Sequence, residues 1–174
     1  MIAAARESGY PAAMDEAAIT DAGGGNWAAR YERKFSAPPA RLWAALTDGA
    51  LLGQWLAPGA IELKLGGAVR LAFTSSPSVI DSSVTAIAPG ALLEYRWIDK
   101  GNDLGSVRFE LAADGAGSRL ALTHTMPLAA RRPSALAAWH LHLELLAAAP
   151  GGAPSAWSND RFQELRGVYA KRLG

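Results

Sequence analysis

The chain contains no cysteine. That absence removes disulfides, thiolate metal sites and a cysteine nucleophile, and it fits a reducing compartment. An excess of charge of one sign is also missing: 17 basic side chains face 16 acidic ones, a net charge of +1. No basic stripe of the kind that neutralises nucleic-acid phosphates is present, so nucleic acid is not an expected partner. No apolar run approaches the length of a membrane span, so no membrane partner is expected. The first residues do not read as a signal peptide, because Arg6 and Glu7 interrupt the early alanines and no apolar block follows a basic start. A cytoplasmic location is the resulting expectation. Metalloprotease HExxH and nucleophile-elbow Gly-x-Ser-x-Gly patterns do not occur, and Gly66-Gly67 is not followed by the Lys-Ser/Thr of a phosphate loop.

What the chain does have is apolar material. Half of its 174 residues are hydrophobic, a length that fits one domain and can bury roughly two-thirds of its unfolded surface. Residues 1–16 read as a weakly ordered arm and residues 17–174 as a single domain.

Regular patterning starts at Trp27. In WAARYERKF, Trp27, Ala29, Tyr31 and Phe35 alternate with polar or small neighbours, the period of a half-buried strand. Pro38-Pro39 stops that strand, and Ser36 or Pro38-Pro39 opens a helix carrying Leu42, Trp43 and Leu46; Asp48 is placed to cap a second short helix with Leu51, Leu52 and Trp55. Alternating runs follow in IELKL, AVRLAF, SVIDSSVTAIA, ALLEYRW, SVRFEL and RLALTHT, separated by Gly-Gly, Pro-Gly and Asp-Gly turn signals. This makes about six or seven antiparallel strands. The period then changes. From Ser134 to Ala149 no breaker occurs, and Leu136, Trp139, His140, Leu143 and Ala147 form one stripe while Leu141 and Leu145 lie opposite. A helix apolar nearly all round has to be covered on more than one face. A final helix, NDRFQELRGVYAKRL, turns Phe162, Leu165, either Tyr169 or Val168, and Leu173 inward and carries Lys171 and Arg172 in its last turn, where positive charge suits the helix dipole.

In their order, PPARLWAALTDGALLGQWL, LGGAVRLAF, APGALLEYRW, SRLALTHT, AWHLHLELL and RFQELRGVYAKRL resemble the START-like, or SRPBCC, superfamily, and within it the bacterial homologues of the activator of the heat-shock chaperone ATPase. The resemblance covers most of the chain from about Ile19. It implies an α+β helix-grip fold: a curved antiparallel sheet around a long C-terminal helix, a cavity between them, and the two small helices after strand 1 closing one end. Trp43 and Trp55 are then expected as a plug or part of the cavity rim. Ser82 and Ala138 depart from the family pattern, where glycine is often found, and each adds bulk near the implied cavity.

Arg33, His124 and His140 are the polar residues that periodicity places on apolar faces. A few polar groups converging in an apolar cleft is the usual form of a small-ligand site. The candidate ligand-binding set is Arg33, Trp55, Tyr95, Trp97, Phe109, His124, Trp139 and His140. Each has a plainer reading. A histidine on an apolar face is also the pattern of a hydrogen-bonded core residue, and Arg33 also fits a local bulge or a snorkelling stem. His140 and His142 stand two apart on a helix, about 200° around its axis, and cannot chelate one ion; no metal or cofactor is expected. The leading functional expectation is non-catalytic binding of a small hydrophobic or aromatic molecule. A chaperone-associated or other protein-partner module is the alternative, and a cyclase or hydrolase with His124 or His140 as general base is a third. An exposed sheet edge leaves room for a homodimer.

Overall fold

The computed structural model describes residues 15–149 and 156–174. It contains one antiparallel sheet of eight strands in the order β1-β2-β8-β7-β6-β5-β4-β3 and four α-helices. In chain order these are β1 (Ala18–Gly23), β2 (Asn26–Phe35), α1 (Pro39–Thr47), α2 (Gly49–Trp55), β3 (Gly59–Ile61), β4 (Ala68–Ala72), β5 (Val79–Ala88), β6 (Leu92–Asp99), β7 (Asn102–Asp114), β8 (Gly117–Pro127), α3 (Pro133–Ala148) and α4 (Asn159–Leu173). Helix α3 lies between the sheet and α4, and the arrangement is the helix grip. The expected N-terminal arm falls mostly on residues 1–14, outside the described residues. Among the described residues no helix is long and apolar enough to cross a membrane.

The strand count exceeds the expected six or seven because AITDAG forms β1. Only Ile19 in that strand is even partly buried, so alternation gives no signal. The strand is held by its ladder to β2, which begins at Ala18 opposite Arg30. The turn between them has Gly24 and Gly25 both at positive φ, +61° and +77°, the requirement of a tight type I′ hairpin. In IELKL only Ile61 belongs to a strand. From Glu62 the chain turns back on itself, with Lys64 N–H donating to the Glu62 carbonyl and Gly67 N–H to that of Lys64.

The apolar sides of the strands face α3: Ala29, Tyr31 and Phe35 of β2, Leu93 and Tyr95 of β6, Val107, Phe109 and Leu111 of β7, and Leu120 and Leu122 of β8 are all buried. Arg33 shares this side. The β2–β8 register runs unbroken from Asn26 to Phe35, with Arg33 opposite Leu120, so the bulge reading does not hold and neither does the snorkelling one. The guanidinium is buried at 5% exposure, and its Nη1 donates to the Glu32 carbonyl at 2.9 Å.

The all-round apolar character of α3 has its expected consequence: every residue from Leu136 to Leu146 except Ala138 is buried. Its polar groups are matched individually. Tyr31 Oη donates to the Leu136 carbonyl at 2.9 Å. On the side facing α4, Glu144 is fully buried and accepts from Arg161 Nε at 3.1 Å and Nη2 at 2.6 Å. Helix α4 is positioned for this by its cap, Ser158 Oγ accepting from Arg161 N–H. Removing one partner of a buried ion pair leaves an uncompensated charge, which costs about 3–5 kcal/mol. Arg161→Ala is therefore expected to lower the urea unfolding free energy by about 3 kcal/mol, and adding Glu144→Gln to it should restore part of the loss. An Arg161→Ala protein as stable as the parent would mean that the pair does not hold α4 down.

Candidate functional site

A cavity of about 290 Å³ lies between the sheet, α3 and the start of α4. Its walls are aromatic. Phe73 follows β4, Trp97 comes from β6, Trp139 from α3, Trp157 from the segment just before α4, and Phe162 from the first turn of α4. The rings touch one another in sequence: Phe73 to Trp97 at 6.0 Å between centroids, Trp97 to Trp139 at 4.9 Å, and Trp157 to Phe162 at 5.3 Å, all tilted or edge-on as ring quadrupoles favour. The exposed Ser75, Ser76 and Asn159 also line it and mark its open side, while His124, Trp139 and His142 are buried. No charged side chain is among the described residues lining it.

Space for the cavity comes from α3. Ala135, Ala138, Trp139 and His142 all line it and fall on one stripe of the helix, spaced three or four residues apart. Two of the four are alanines, so the stripe faces the sheet without filling the gap. Ala138 lines the cavity, which persists around its methyl group.

His124 forms part of this buried lining and is fully engaged. Trp139 Nε1 donates to its Nδ1 at 3.0 Å, and an indole N–H can only donate. Nδ1 is therefore the unprotonated nitrogen, and Nε2–H donates to the Leu104 carbonyl at 2.8 Å. That carbonyl is aimed by a bulge: Arg96 pairs Ser106 and Ile98 pairs Asp103, so Leu104 and Gly105 together oppose Trp97 alone. Gly105 sits at φ +100°, and a Cβ there would lie 1.8 Å from the Thr125 carbonyl oxygen, so glycine is required. Burial lowers the His124 pKa to about 4.

His142 is held differently. Its Nδ1–H donates to the Trp55 carbonyl at 2.7 Å, which leaves Nε2 as the lone-pair nitrogen. Phe73, Trp139 and Trp157 surround the ring, at 5.7, 6.1 and 5.1 Å between centroids. Among the described residues Nε2 has no hydrogen-bond partner; it is not among the solvent-sealed unsatisfied atoms, and the ring that carries it lines the cavity. Burial lowers this pKa too, to about 4.

Of the eight candidate residues, the structure brings Trp97, His124 and Trp139 together in the cavity lining. Tyr95 and Phe109 stand behind them in the core, with Phe109 edge-on to both Trp55 and Trp139. Trp43 and Trp55 neither plug nor rim the cavity. Trp43 is half-buried against the core, and the buried Trp55 directs its indole N–H to the Ala45 carbonyl between α1 and α2. Trp55 acts on the site through its backbone oxygen, which fixes the His142 tautomer. His140 lies on the opposite side of α3. Its Nδ1 bonds Tyr169 Oη at 2.9 Å, that hydroxyl also accepts from Ala17 N–H, and its Nε2 faces Glu144 at 3.5 Å. Arg33 lies within reach of the Tyr31 ring and does not line the cavity. Neither His124 nor His140 offers the cavity a free nitrogen, so the general-base alternative loses both of its named residues. Among the described residues no cluster of three or more His, Asp or Glu could hold a metal ion. His142, Phe73, Leu104, Trp157 and Phe162 were not among the candidates. The spacing of Ala135, Ala138, Trp139 and His142 is the signal that points to His142.

The sequence profile described as activator of Hsp90 ATPase homolog 1-like protein matches residues 36–157. Similar solved structures include EF2215 of Enterococcus faecalis, a conserved protein of unknown function, at 22% identity over 90% of each chain and a TM-score of 0.73. CalU16 of Micromonospora echinospora is 22% identical over 90% of this chain and 96% of its own, with a TM-score of 0.73. The protein encoded by BPP1335 of Bordetella parapertussis is 27% identical over 94% and 95%, with a TM-score of 0.70. No curated protein sequence matches the chain.

The two buried imidazoles make stability depend on pH. Each titrates near 6.5 in the unfolded chain and near 4 in the folded one. As pH falls below 6.5 the unfolded state therefore takes up protons first, and stability fully present above that pH is lost progressively down to about 4, on the order of 3 kcal/mol per histidine. Glu144, held below the usual carboxylate range by His140 and Arg161 against the opposing effect of burial, adds its loss only at lower pH. The melting temperature is expected to be level from pH 8 to 7 and to fall steeply between pH 6.5 and 4.5. A flat profile over that window would mean that these imidazoles are not held neutral in the fold.

Proposed function

The chain belongs to the activator of Hsp90 ATPase homolog 1-like family, within the START-like superfamily, and on that footing we propose that it binds a small hydrophobic, aromatic molecule between its sheet and α3. The observation that carries this reading is a cavity walled by five aromatic rings and lined by buried imidazoles, with alanines on the α3 stripe that faces it. Its volume is about twice that of the ~150 Å³ apolar cavity that accepts benzene, a size suited to a two-ring compound. Catalysis has less support, because His124 uses both nitrogens within the protein.

Three of the six tryptophans line the cavity, so their emission reports occupancy. Titration with a library of two-ring aromatic compounds is expected to quench it. At about 100 times the dissociation constant a ligand should add about 2.7 kcal/mol of stability, a rise in melting temperature of roughly 5–10 °C. Ala138→Leu places a larger side chain in the cavity and should weaken binding at least tenfold without unfolding the protein, since leucine is a good helix former. Binding that is indifferent to Ala138→Leu would move the ligand elsewhere, and no response across the library would end the proposal.

A further inference from the structure

We propose that His142 Nε2 is the hydrogen-bond acceptor that selects the ligand, so that the cavity takes neutral aromatic molecules carrying a hydroxyl or N–H donor and discriminates against carboxylates. This rests on the binding reading above and adds the polar half of the recognition.

His142 is 6% exposed. Its Nδ1 proton is committed to the Trp55 carbonyl at 2.7 Å, and a neutral imidazole carries only one N–H. The nitrogen left over is an acceptor with no partner among the described residues. The other polar group in the deep part of the cavity, His124, is closed: Trp139 Nε1–H occupies its lone pair and the Leu104 carbonyl occupies its proton. Deep in the cavity, one acceptor therefore faces the ligand and no free imidazole donor does. Ser75, Ser76 and Asn159 at the mouth lie against solvent, and the half-buried Ser78 donates from its hydroxyl to Asp99 at 2.9 Å. Burial keeps the His142 ring neutral at physiological pH. A carboxylate would meet a lone pair with no cation among the described lining residues to offset it, and Arg132 is exposed in the groove outside the mouth. A phenolic O–H or a ring N–H would supply the missing donor while its ring lies among Phe73, Trp139 and Trp157. A ligand that displaces solvent from the cavity leaves this acceptor unsatisfied, which is costly, unless it donates a hydrogen bond itself.

The test compares 2-naphthol, 2-methoxynaphthalene and 2-naphthoate at pH 7.5 by calorimetry on the full chain. These share one ring system and differ in being a donor, an acceptor only and an anion. 2-Naphthol is expected to bind roughly tenfold tighter than 2-methoxynaphthalene, with 2-naphthoate weaker than both. The ¹⁵N resonance of His142 Nε2 should shift on adding 2-naphthol and stay nearly in place with the methoxy compound. In His142→Phe, which keeps a ring at the position, the ratio of naphthol to methoxynaphthalene affinity should fall to about one. Because that variant also loses the bond to Trp55 and could fail to fold, the ligand comparison and the resonance in the unmodified protein decide the matter. Equal binding of naphthol and methoxynaphthalene with an unmoved resonance overturns the role of His142 and leaves the binding reading intact. Tightest binding by 2-naphthoate overturns it as well. Absence of binding by all three removes the cavity reading on which the inference rests.

Discussion

The structure is organised by the need to bury α3 on all sides. A helix apolar around its whole circumference cannot lie on a surface, and here one side meets the sheet and the other meets α4. That placement leaves its few polar side chains with no water to bond, so each has to find a partner in the direction it points. His140 and Glu144 find Tyr169 and Arg161 on the α4 side. His142, about 200° around the axis from His140, finds the Trp55 carbonyl. The same helix thus carries a stabilising network on one face and part of the cavity lining on the other, and the two do not share a side chain.

Much of the scaffold was readable in the sequence because it rests on short-range periodicity. Strict alternation located β2, β4, β6 and β8, Asp48 caps α2 through the bond from Ala50 N–H to its Oδ1, and the change of period at Pro133 marks α3. The hidden features depend on partners distant in sequence or on backbone geometry. β1 has almost no apolar side to announce it and exists because β2 offers an edge. Leu104 reaches the cavity only because the bulge opposite Trp97 shifts the alternation of β7.

The site was less legible than the fold, for a related reason. Sequence reading looks for large apolar or polar residues in a stripe, and it selected Leu136, Trp139, His140, Leu143 and Ala147. The stripe that builds the cavity includes Ala135 and Ala138, whose contribution is the volume they do not occupy. Trp55 illustrates the opposite error. It attracts attention as a large aromatic next to the expected cavity, yet its ring belongs to the core and the site feels only its carbonyl oxygen. Main-chain atoms carry no mark in a sequence, and here one of them decides which histidine nitrogen keeps the proton.

That decision links the fold to its chemistry. A 290 Å³ space lined by rings is expensive for a domain whose net stability is about 5–15 kcal/mol; were it a sealed, dry void, a penalty of about 24 cal/mol per Å³ would come to something on the order of 7 kcal/mol. Opening on the side of Ser75, Ser76 and Asn159 admits solvent and relieves most of that. Solvent access does not explain why Ala135 and Ala138 are small where leucine would fit the helix equally well and bury more surface. A cavity kept at the expense of packing, with one histidine closed by two bonds and another left with a single acceptor, does nothing for stability, and that is the physical ground for the ligand proposed above.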